Sequence, residues 1–208
     1  MPPAQPPIPS FVAEPPQEPL AGGRWGDRLR AELLDAAQGL DDLGEIGEAT
    51  FYPDRTWHGY TYIPVTAPTD SGNLVYGYVR FVAGTDGREQ GDFTAHADYT
   101  EETAERNPQW HLDLCDEVVG SWRGLDGAVA AMTLVWGRAL VEGGAVATAE
   151  LGERTVDECA LEDGRFTLLA PDDYRERLLE IKLWSPRGKE LARESLYEGE
   201  EEEEEGDG

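Results

Sequence analysis

The stretch EDGRFTLLAPDDYRERLLEIKLW, residues Glu162–Trp184, decides the fold of this chain. It begins with the dipeptide Asp163-Gly164, which is typical of tight turns, and an apolar run follows directly. After a polar break, RLLEIKLW alternates apolar and polar residues with the two-residue period of a strand. A helix over residues 172–184 is the alternative, because Leu, Glu and Lys are good helix formers. The alternation favours a strand hairpin that turns at SPRGKE and returns through LARESLY.

The segments around this stretch predict a β-sandwich over residues 109–197. WHLDLCDEVV alternates apolar and polar residues, and AMTLVWGRALV leads through EGG into AVATAELG with the spacing of a hairpin. RTVDECALE then leads to the Asp-Gly turn. Residues of RFTLLAP and LLEIKLW should face each other in the core; they are Phe166, Leu168, Leu179, Ile181 and Leu183.

The order of these segments, over roughly residues 130–197, resembles the carboxypeptidase regulatory-like and transthyretin-like sandwich modules. The matching positions are Gly144, Ala147, Ala149, Asp163, Gly164, Arg165 and Phe166, with Tyr174 in the following loop. The resemblance implies a seven-stranded, immunoglobulin-like or transthyretin-like sandwich used for folding, docking or adhesion. The hydrolase of the transthyretin-like group uses several His and Arg residues and a YRGS-like motif. This chain has SLYEGEEEE there and no His after His111, so the resemblance does not extend to that activity.

Residues 24–108 are predicted to form a helix and an antiparallel β meander. Apolar residues at spacings of three and four place one face of a helix that ends near Gly39: Trp25, Leu29, Leu33, Ala36, Ala37 and Leu40. The period then changes to two in WHGYTYIPV (57–65), NLVYGYVRFVA (73–83) and DFTAHADYT (92–100). The turn-forming segments APTDSG and GTDGREQG separate these strands. The fold class is therefore mainly β, with a meander, a sandwich and one N-terminal amphipathic helix.

Both termini are predicted to be disordered. Residues 1–23 hold eight of the 14 prolines and show almost no apolar periodicity. Residues 198–208 carry eight acidic side chains, which repel one another and keep a tail extended. Without those eight charges the formal net charge of −26 falls to −18, so the folded part is acidic in its own right.

The charge restricts the partners that the protein is expected to bind. Seventeen basic residues against 43 acidic ones repel phosphate backbones and anionic lipids, which argues against direct binding of nucleic acid or membranes. No run of about 18 apolar residues and no signal-peptide pattern occurs, and the only cysteines are Cys115 and Cys159. These features predict a cytoplasmic protein with reduced thiols. Fifteen of the basic residues are Arg, which is typical of a high-GC bacterial genome.

Four tyrosines form the first candidate binding site. Tyr60 and Tyr62 share one face of the strand predicted at 57–65, together with His58, and Tyr76 and Tyr78 share one face of the next strand. Antiparallel pairing assembles the four into a panel that offers contact area at a small entropic cost to a protein partner. The alternative is that the tyrosines are ordinary residues of half-buried strands or lie beneath a covering helix, for which the predicted amphipathic helix from Trp25 to Leu40 is the candidate.

The second candidate site comprises His58, His96, His111 and Cys115. They supply the N and S ligands that transition metals prefer, and Cys115 with a nearby His is the minimum for a cysteine nucleophile. On a strand, however, His111 and Cys115 lie about 13 Å apart, too far to share one ion. Walker, dinucleotide-binding, EF-hand and G-x-S-x-G motifs do not occur, so no cofactor is predicted.

These observations predict a non-enzymatic, cytoplasmic protein that acts by binding another protein through the tyrosine panel or the acidic surface. The first alternative is a metal-dependent or cysteine-based enzyme built on the three histidines and Cys115. The second alternative is an acidic mimic of nucleic acid that binds a basic protein.

Overall fold

The computed structural model describes residues 25–41, 43–82, 91–124, 127–152, 154–172 and 178–196. The predicted Pro-rich arm, the acidic tail and nearly all of the turn GTDGREQG lie outside these residues. Within them the protein is mainly β, with one short helix near the N-terminus, as predicted. The helix α1 spans Gly26–Ala37, and the strands are β1 (Thr50–Phe51), β2 (Arg55–Trp57), β3 (Tyr60–Pro68), β4 (Leu74–Val82), β5 (Gly91–Thr100), β6 (Leu112–Arg123), β7 (Val129–Ala139), β8 (Val146–Leu151), β9 (Arg154–Ala160), β10 (Arg165–Asp172), β11 (Leu179–Trp184) and β12 (Glu190–Ser195).

The strands form three antiparallel sheets. In the first sheet the order is β1-β3-β4-β5, and β2 pairs with β3 on the same side as β1. The middle sheet has the order β10-β7-β6, and the outer sheet has the order β12-β11-β8-β9. One face of the middle sheet packs on the first sheet and its other face packs on the outer sheet. The stack therefore buries six consecutive residues of β7, from Met132 to Gly137.

The helix α1 covers the free face of the first sheet. Its apolar stripe of Leu29, Leu33 and Ala37 is buried against two neighbouring apolar clusters of β3 and β4. Trp25 stands at its N-cap position and packs 5.6 Å from the ring of Phe93 in β5. The helix predicted from the three- and four-residue spacing is confirmed, and it ends two residues before Gly39.

The middle and outer sheets form the sandwich predicted for the C-terminal half. Its core contains the five apolar residues expected from the opening stretch, and all are fully buried: Phe166, Leu168, Leu179, Ile181 and Leu183. The strand predicted at RLLEIKLW is β11, so the helical alternative is wrong for residues 179–184. Asp163 and Gly164 both have positive φ angles, 51° and 77°, which is the geometry of the tight turn predicted for this dipeptide.

Two local predictions are wrong. AMTLVWGRALV and AVATAELG do not form a hairpin, because β7 pairs with β6 and β10 while β8 pairs with β9 and β11. The chain crosses between sheets at residues 140–145, where Gly144 lies so close to Leu183 that a side chain at this position would clash. The other error is the continuous strand over residues 57–65. His58 and Gly59 instead form a turn with positive φ angles between β2 and β3, so His58 does not share the face of Tyr60.

Candidate functional site

The four tyrosines of the predicted panel lie on one face of the first sheet, opposite α1. That face packs against the middle sheet. The ring of Tyr62 lies 5.6 Å from that of Tyr78 in an edge-to-face contact, and the ring of Tyr76 lies 6.3 Å from that of Trp136. Tyr62 is 1% exposed, whereas Tyr60, Tyr76 and Tyr78 are half-buried. A partner can therefore reach the tyrosine panel itself only at the exposed edges of the last three rings.

The structure does not bring the three histidines and Cys115 together as a metal site. His58 lies in the β2–β3 turn, His96 is in β5, and His111 is exposed just before β6. In the described part of the chain, no group of three or more His, Cys, Asp or Glu side chains is arranged to hold a metal ion. His96 instead donates a hydrogen bond from Nε2 to Glu117 Oε1 at 2.8 Å, which links the first sheet to the middle sheet.

Cys115 does not have the environment of an activated nucleophile. Its side chain packs in the apolar cluster between the first and middle sheets. Burial raises the pKa of the Cys115 thiol, and the negative charges of Asp113 and Asp116 raise it further. A catalytic thiol needs the opposite change, because the thiolate is the nucleophile.

One side of the three-sheet stack is closed by a buried ion pair. The guanidinium Nε of Arg55, in β2, lies 3.5 Å from Asp157 Oδ2, in β9, and the two side chains are 4% and 5% exposed. Asp157 Oδ2 also accepts the backbone N–H of Leu169, in β10, at 2.8 Å. One carboxylate thus ties together a strand from each of the three sheets. We call this edge of the stack, formed by β2, β9 and β10, the closed side.

The edge of β10 has few amides to offer to another chain. The Leu169 N–H donates to Asp157 and so points away from β7. Because N–H groups alternate in direction along a strand, those of residues 165, 167 and 171 also point away from β7. Arg165 N–H is bound in the turn by the carbonyl of Glu162 at 2.9 Å, and Pro171 has no N–H. Of these four positions, only residue 167 has an N–H group that is not already bound in one of these contacts. The edge of β10 is therefore a poor site for strand addition.

The opposite side of the stack, formed by β5, β6 and β12, has an open edge. Leu140 N–H donates to the carbonyl of His111 at 2.9 Å. Because hydrogen-bonded pairs alternate along antiparallel strands, the residues of β6 up to Val118 that bond to β7 are those an even number of positions after His111. Every second residue of β6 therefore directs its N–H and C=O away from β7; these are Leu112, Leu114, Asp116 and Val118. Among the described residues, no strand pairs with this edge of β6. We call β5, β6 and β12 the open side.

A partly exposed strip of aromatic and acidic side chains crosses the open side. Its members come from β4, β5 and β6 and are Tyr76, Tyr78, His96, Asp98 and Glu117. Tyr76 pairs with Asp98 and Tyr78 with His96 across the two strands, and the rings of Tyr78 and His96 lie 5.8 Å apart. Neither Asp98 nor Glu117 has an ion pair with Lys or Arg among the residues that the structure describes. We call this set the tyrosine–carboxylate strip.

The strip combines partial loss of hydration with neighbouring negative charges. Burial raises the pKa of Tyr76 to about 12, and the negative neighbours Asp98 and Glu117 add to the increase. Asp116 is exposed, but partial loss of hydration raises the pKa of its carboxyl group, with a further contribution from Glu117. A phenol and a carboxyl group that ionise less readily than usual are expected where negative charges are crowded and only partly solvated.

Sequence reasoning missed Arg55, Asp157 and Glu117. Arg55 and Asp157 lie about a hundred residues apart in two different predicted units, and no local pattern connects them. Glu117 gave a weak signal, since it follows Cys115 at the two-residue spacing of one strand face. Its partner His96 was singled out, but as a possible metal ligand and not as a contact between sheets.

The residues that carry the family resemblance lie in the sandwich. Ala147 and Ala149 are buried in β8, and Gly164 lies in the turn before β10, whereas Tyr174 is outside the described residues. Within the described residues, no helix is long and apolar enough to cross a membrane. Known protein families, curated proteins and solved structures gave no match to this chain, so the family resemblance stays a prediction.

Proposed function

We propose that this protein is a non-enzymatic, cytoplasmic binding module of bacterial origin that docks a basic protein at the tyrosine–carboxylate strip. The observation that carries the proposal is the composition of the strip. It places two half-buried tyrosines beside Asp98 and Glu117, and neither carboxylate is neutralised by Lys or Arg within the described residues. Such a surface attracts cations and also offers rings for them to contact.

The first sheet already binds cationic side chains in this way elsewhere. The guanidinium of Arg28 lies 3.8 Å from the centre of the Phe93 ring, and that of Arg80 lies 5.1 Å from the centre of the Tyr60 ring. A partner's Arg or Lys over Tyr76 would repeat this contact with two carboxylates alongside. The formal charge of −26 would also accelerate the approach of a basic protein.

The enzyme alternative receives less support from the side chains. Its four candidate residues are dispersed, and the one candidate nucleophile, Cys115, has a pKa raised by burial. The nucleic-acid mimic shares a basic partner with the proposal. It differs in requiring that the partner be a nucleic-acid-binding protein that nucleic acid displaces.

The test compares capture of proteins from native lysate by the wild-type chain and by a strip variant, Asp98→Asn with Glu117→Gln. Both substitutions keep the size and the hydrogen-bonding oxygen of the side chain, so the fold should be retained. The control, Glu142→Gln with Glu158→Gln, removes the same charge from exposed positions elsewhere. We expect basic proteins captured by the wild type and by the control to be lost from the strip variant. Equal capture by all three would contradict the proposal.

A further inference from the structure

We propose that the partner contributes an extended segment bearing Lys or Arg, which adds to the sheet as a strand along β6. The basic character of this segment rests on the proposed function, whereas the pairing itself rests on the backbone of β6. Extended peptides commonly bind exposed sheet edges in this way, with main-chain hydrogen bonds giving affinity and alternate side chains giving specificity.

The first reason is the row of unpaired backbone groups on β6. Four residues, Leu112 to Val118 at every second position, direct their N–H and C=O groups away from β7. Leu112 is 3% exposed, so the accessible part of this row runs from Leu114 to Val118 and is about 13 Å long at about 3.3 Å per residue. The exposed Asp116 and Val118 lie at one end of this row, and Val118 is 60% exposed. Strand edges of this length are usually paired, covered or blocked in native proteins.

The second reason is that the edges of β10, β5 and β12 are less suitable. The edge of β10 is closed by Asp157, by the turn at Glu162 and by Pro171. On β5, the N–H of Tyr99 is already bound by Asp98 Oδ1 at 2.8 Å, and the pairing with β4 shifts register near the start of the strand. β12 has six residues against the twelve of β6.

Charge selects a basic segment as the occupant in preference to a second copy of the chain. β6 carries Asp113, Asp116 and Glu117, so pairing of two β6 strands would bring like charges close together. A strand with Lys on alternate residues would instead place cations beside Glu117, on the face of the middle sheet that packs on the first sheet and its Asp98. In the opposite register the cations would lie beside Asp116 on the other face.

The test uses a labelled peptide of sequence KVKTKVKTKV with blocked termini and a second peptide with the same sequence and charge. The second peptide carries N-methyl groups on all of its backbone amides, so neither of its edges can donate hydrogen bonds and it cannot add as a strand. Both are titrated into the full wild-type chain at about 0.15 M salt, where interactions between exposed charges are screened. We expect the methylated peptide to bind at least about tenfold more weakly, because it lacks several main-chain hydrogen bonds.

Variants of β6 locate the pairing. Asp116→Pro removes one outward N–H, and Asp116→Ala removes the same charge while keeping that N–H. Proline is tolerated on a strand edge when its missing N–H would face solvent. We expect about fivefold weaker peptide binding to the proline variant than to the alanine variant. We also expect hydrogen exchange of the Leu114 and Val118 amides in the wild type to slow when the peptide is bound.

The outcomes separate the two proposals. Equal affinity for the methylated and unmethylated peptides would overturn strand addition, whichever way the variants behave, and would leave a purely electrostatic docking surface. Unchanged hydrogen exchange of the Leu114 and Val118 amides at a saturating peptide concentration would also overturn strand addition. Discrimination between the two peptides combined with equal lysate capture by the strip variant would instead retain strand addition and overturn the docking of a basic protein at the strip.

Discussion

Arg55 and Asp157 show how a single pair of side chains holds three sheets together. Both groups are almost completely buried, so each loses much of its hydration on folding. Burial raises the pKa of Asp157 even though Arg55 and two backbone N–H groups act in the opposite direction. The pair therefore fixes the relative positions of β2, β9 and β10, and its net contribution to stability is small.

Removing one partner of this pair should be costly. Asp157→Asn removes the carboxylate paired with the buried Arg55 cation, which then interacts, among the described residues, only with the charge of the neighbouring Asp54, and we expect the free energy of unfolding to fall by about 3–5 kcal/mol. The measurement is urea denaturation followed by Trp fluorescence. Asp163→Asn is the control, because Asp163 pairs with Arg165 with its side chain 90% exposed, and we expect a change below about 1 kcal/mol.

A double variant tests whether the unpaired charge of Arg55, and not lost packing, causes the destabilisation of Asp157→Asn. Arg55→Met combined with Asp157→Asn removes the unpaired charge, so it should recover a large part of the stability lost in Asp157→Asn alone. Additive losses in the double variant would mean that the charge of Arg55 is not the reason for the destabilisation.

Residues whose role depends on local backbone geometry were predictable from the sequence. Asp163 and Gly164 form the predicted turn, and Phe166 enters the predicted core. The contact between Arg55 and Asp157 was not predictable, because it depends on the stacking of three sheets and does not affect the periodicity of the local sequence. The tyrosines fall between these cases. Their shared face follows from the two-residue period, but the middle sheet that covers it does not.

Among the elements, β7 has the strongest constraints because it is the central strand of the middle sheet and is packed on both faces. Gly137 shows the consequence. A methyl group there would lie against the Asp113 carbonyl oxygen, 2.8 Å from Leu114 Cδ2 and 3.2 Å from the Phe166 ring. These neighbours are backbone and core atoms that cannot move away cheaply.

We therefore expect Gly137→Ala to lower the free energy of unfolding by about 3 kcal/mol through overpacking. Gly39→Ala is the matched control, because a methyl group there has no atom within 4 Å, and its effect should stay within about 0.5 kcal/mol. Both values come from urea denaturation of the full chain. Similar stabilities for the two variants would show that β7 is not enclosed as described.

The type of each element was predictable more often than its pairing. The periodicity of three and four residues gave α1, and the alternation in RLLEIKLW gave β11. The same reasoning paired β7 with β8, because a short connection containing glycine is typical of a hairpin. A connection of this kind also allows a crossing to the facing sheet, and only the requirement to bury Ala147, Ala149 and Leu151 in the sandwich core decides between the two.

For the whole molecule, acidity and burial together determine how stability depends on pH. Burial raises the pKa of four carboxyl groups above their ordinary value of 3.8: Asp54, Asp113, Asp116 and Asp157. Between 3.8 and the raised values, the folded chain binds more protons than the unfolded chain. The stabilisation from these groups is therefore complete below 3.8 and is lost as the pH rises through the raised pKa values.

We accordingly expect the melting temperature to rise as the pH is lowered from neutral towards 3.8, because the raised groups bind protons in the folded chain and protonation also reduces the repulsion within a chain of formal charge −26. Differential scanning fluorimetry at constant ionic strength gives the profile. Asp116→Asn should flatten part of it. A melting temperature that falls steadily over this range would contradict the raised pKa values of these carboxyl groups in the folded chain.

The central claim is that the stack of sheets has one closed side and one open side. Residue-resolved hydrogen exchange of the free, full-length protein tests it most directly. We predict that the Leu169 amide on the closed side exchanges at the rate set by global unfolding, whereas the outward Asp116 and Val118 amides of β6 exchange orders of magnitude faster. Protection of Asp116 and Val118 equal to that of Leu169 would show that the edge of β6 is already covered, and would contradict the account.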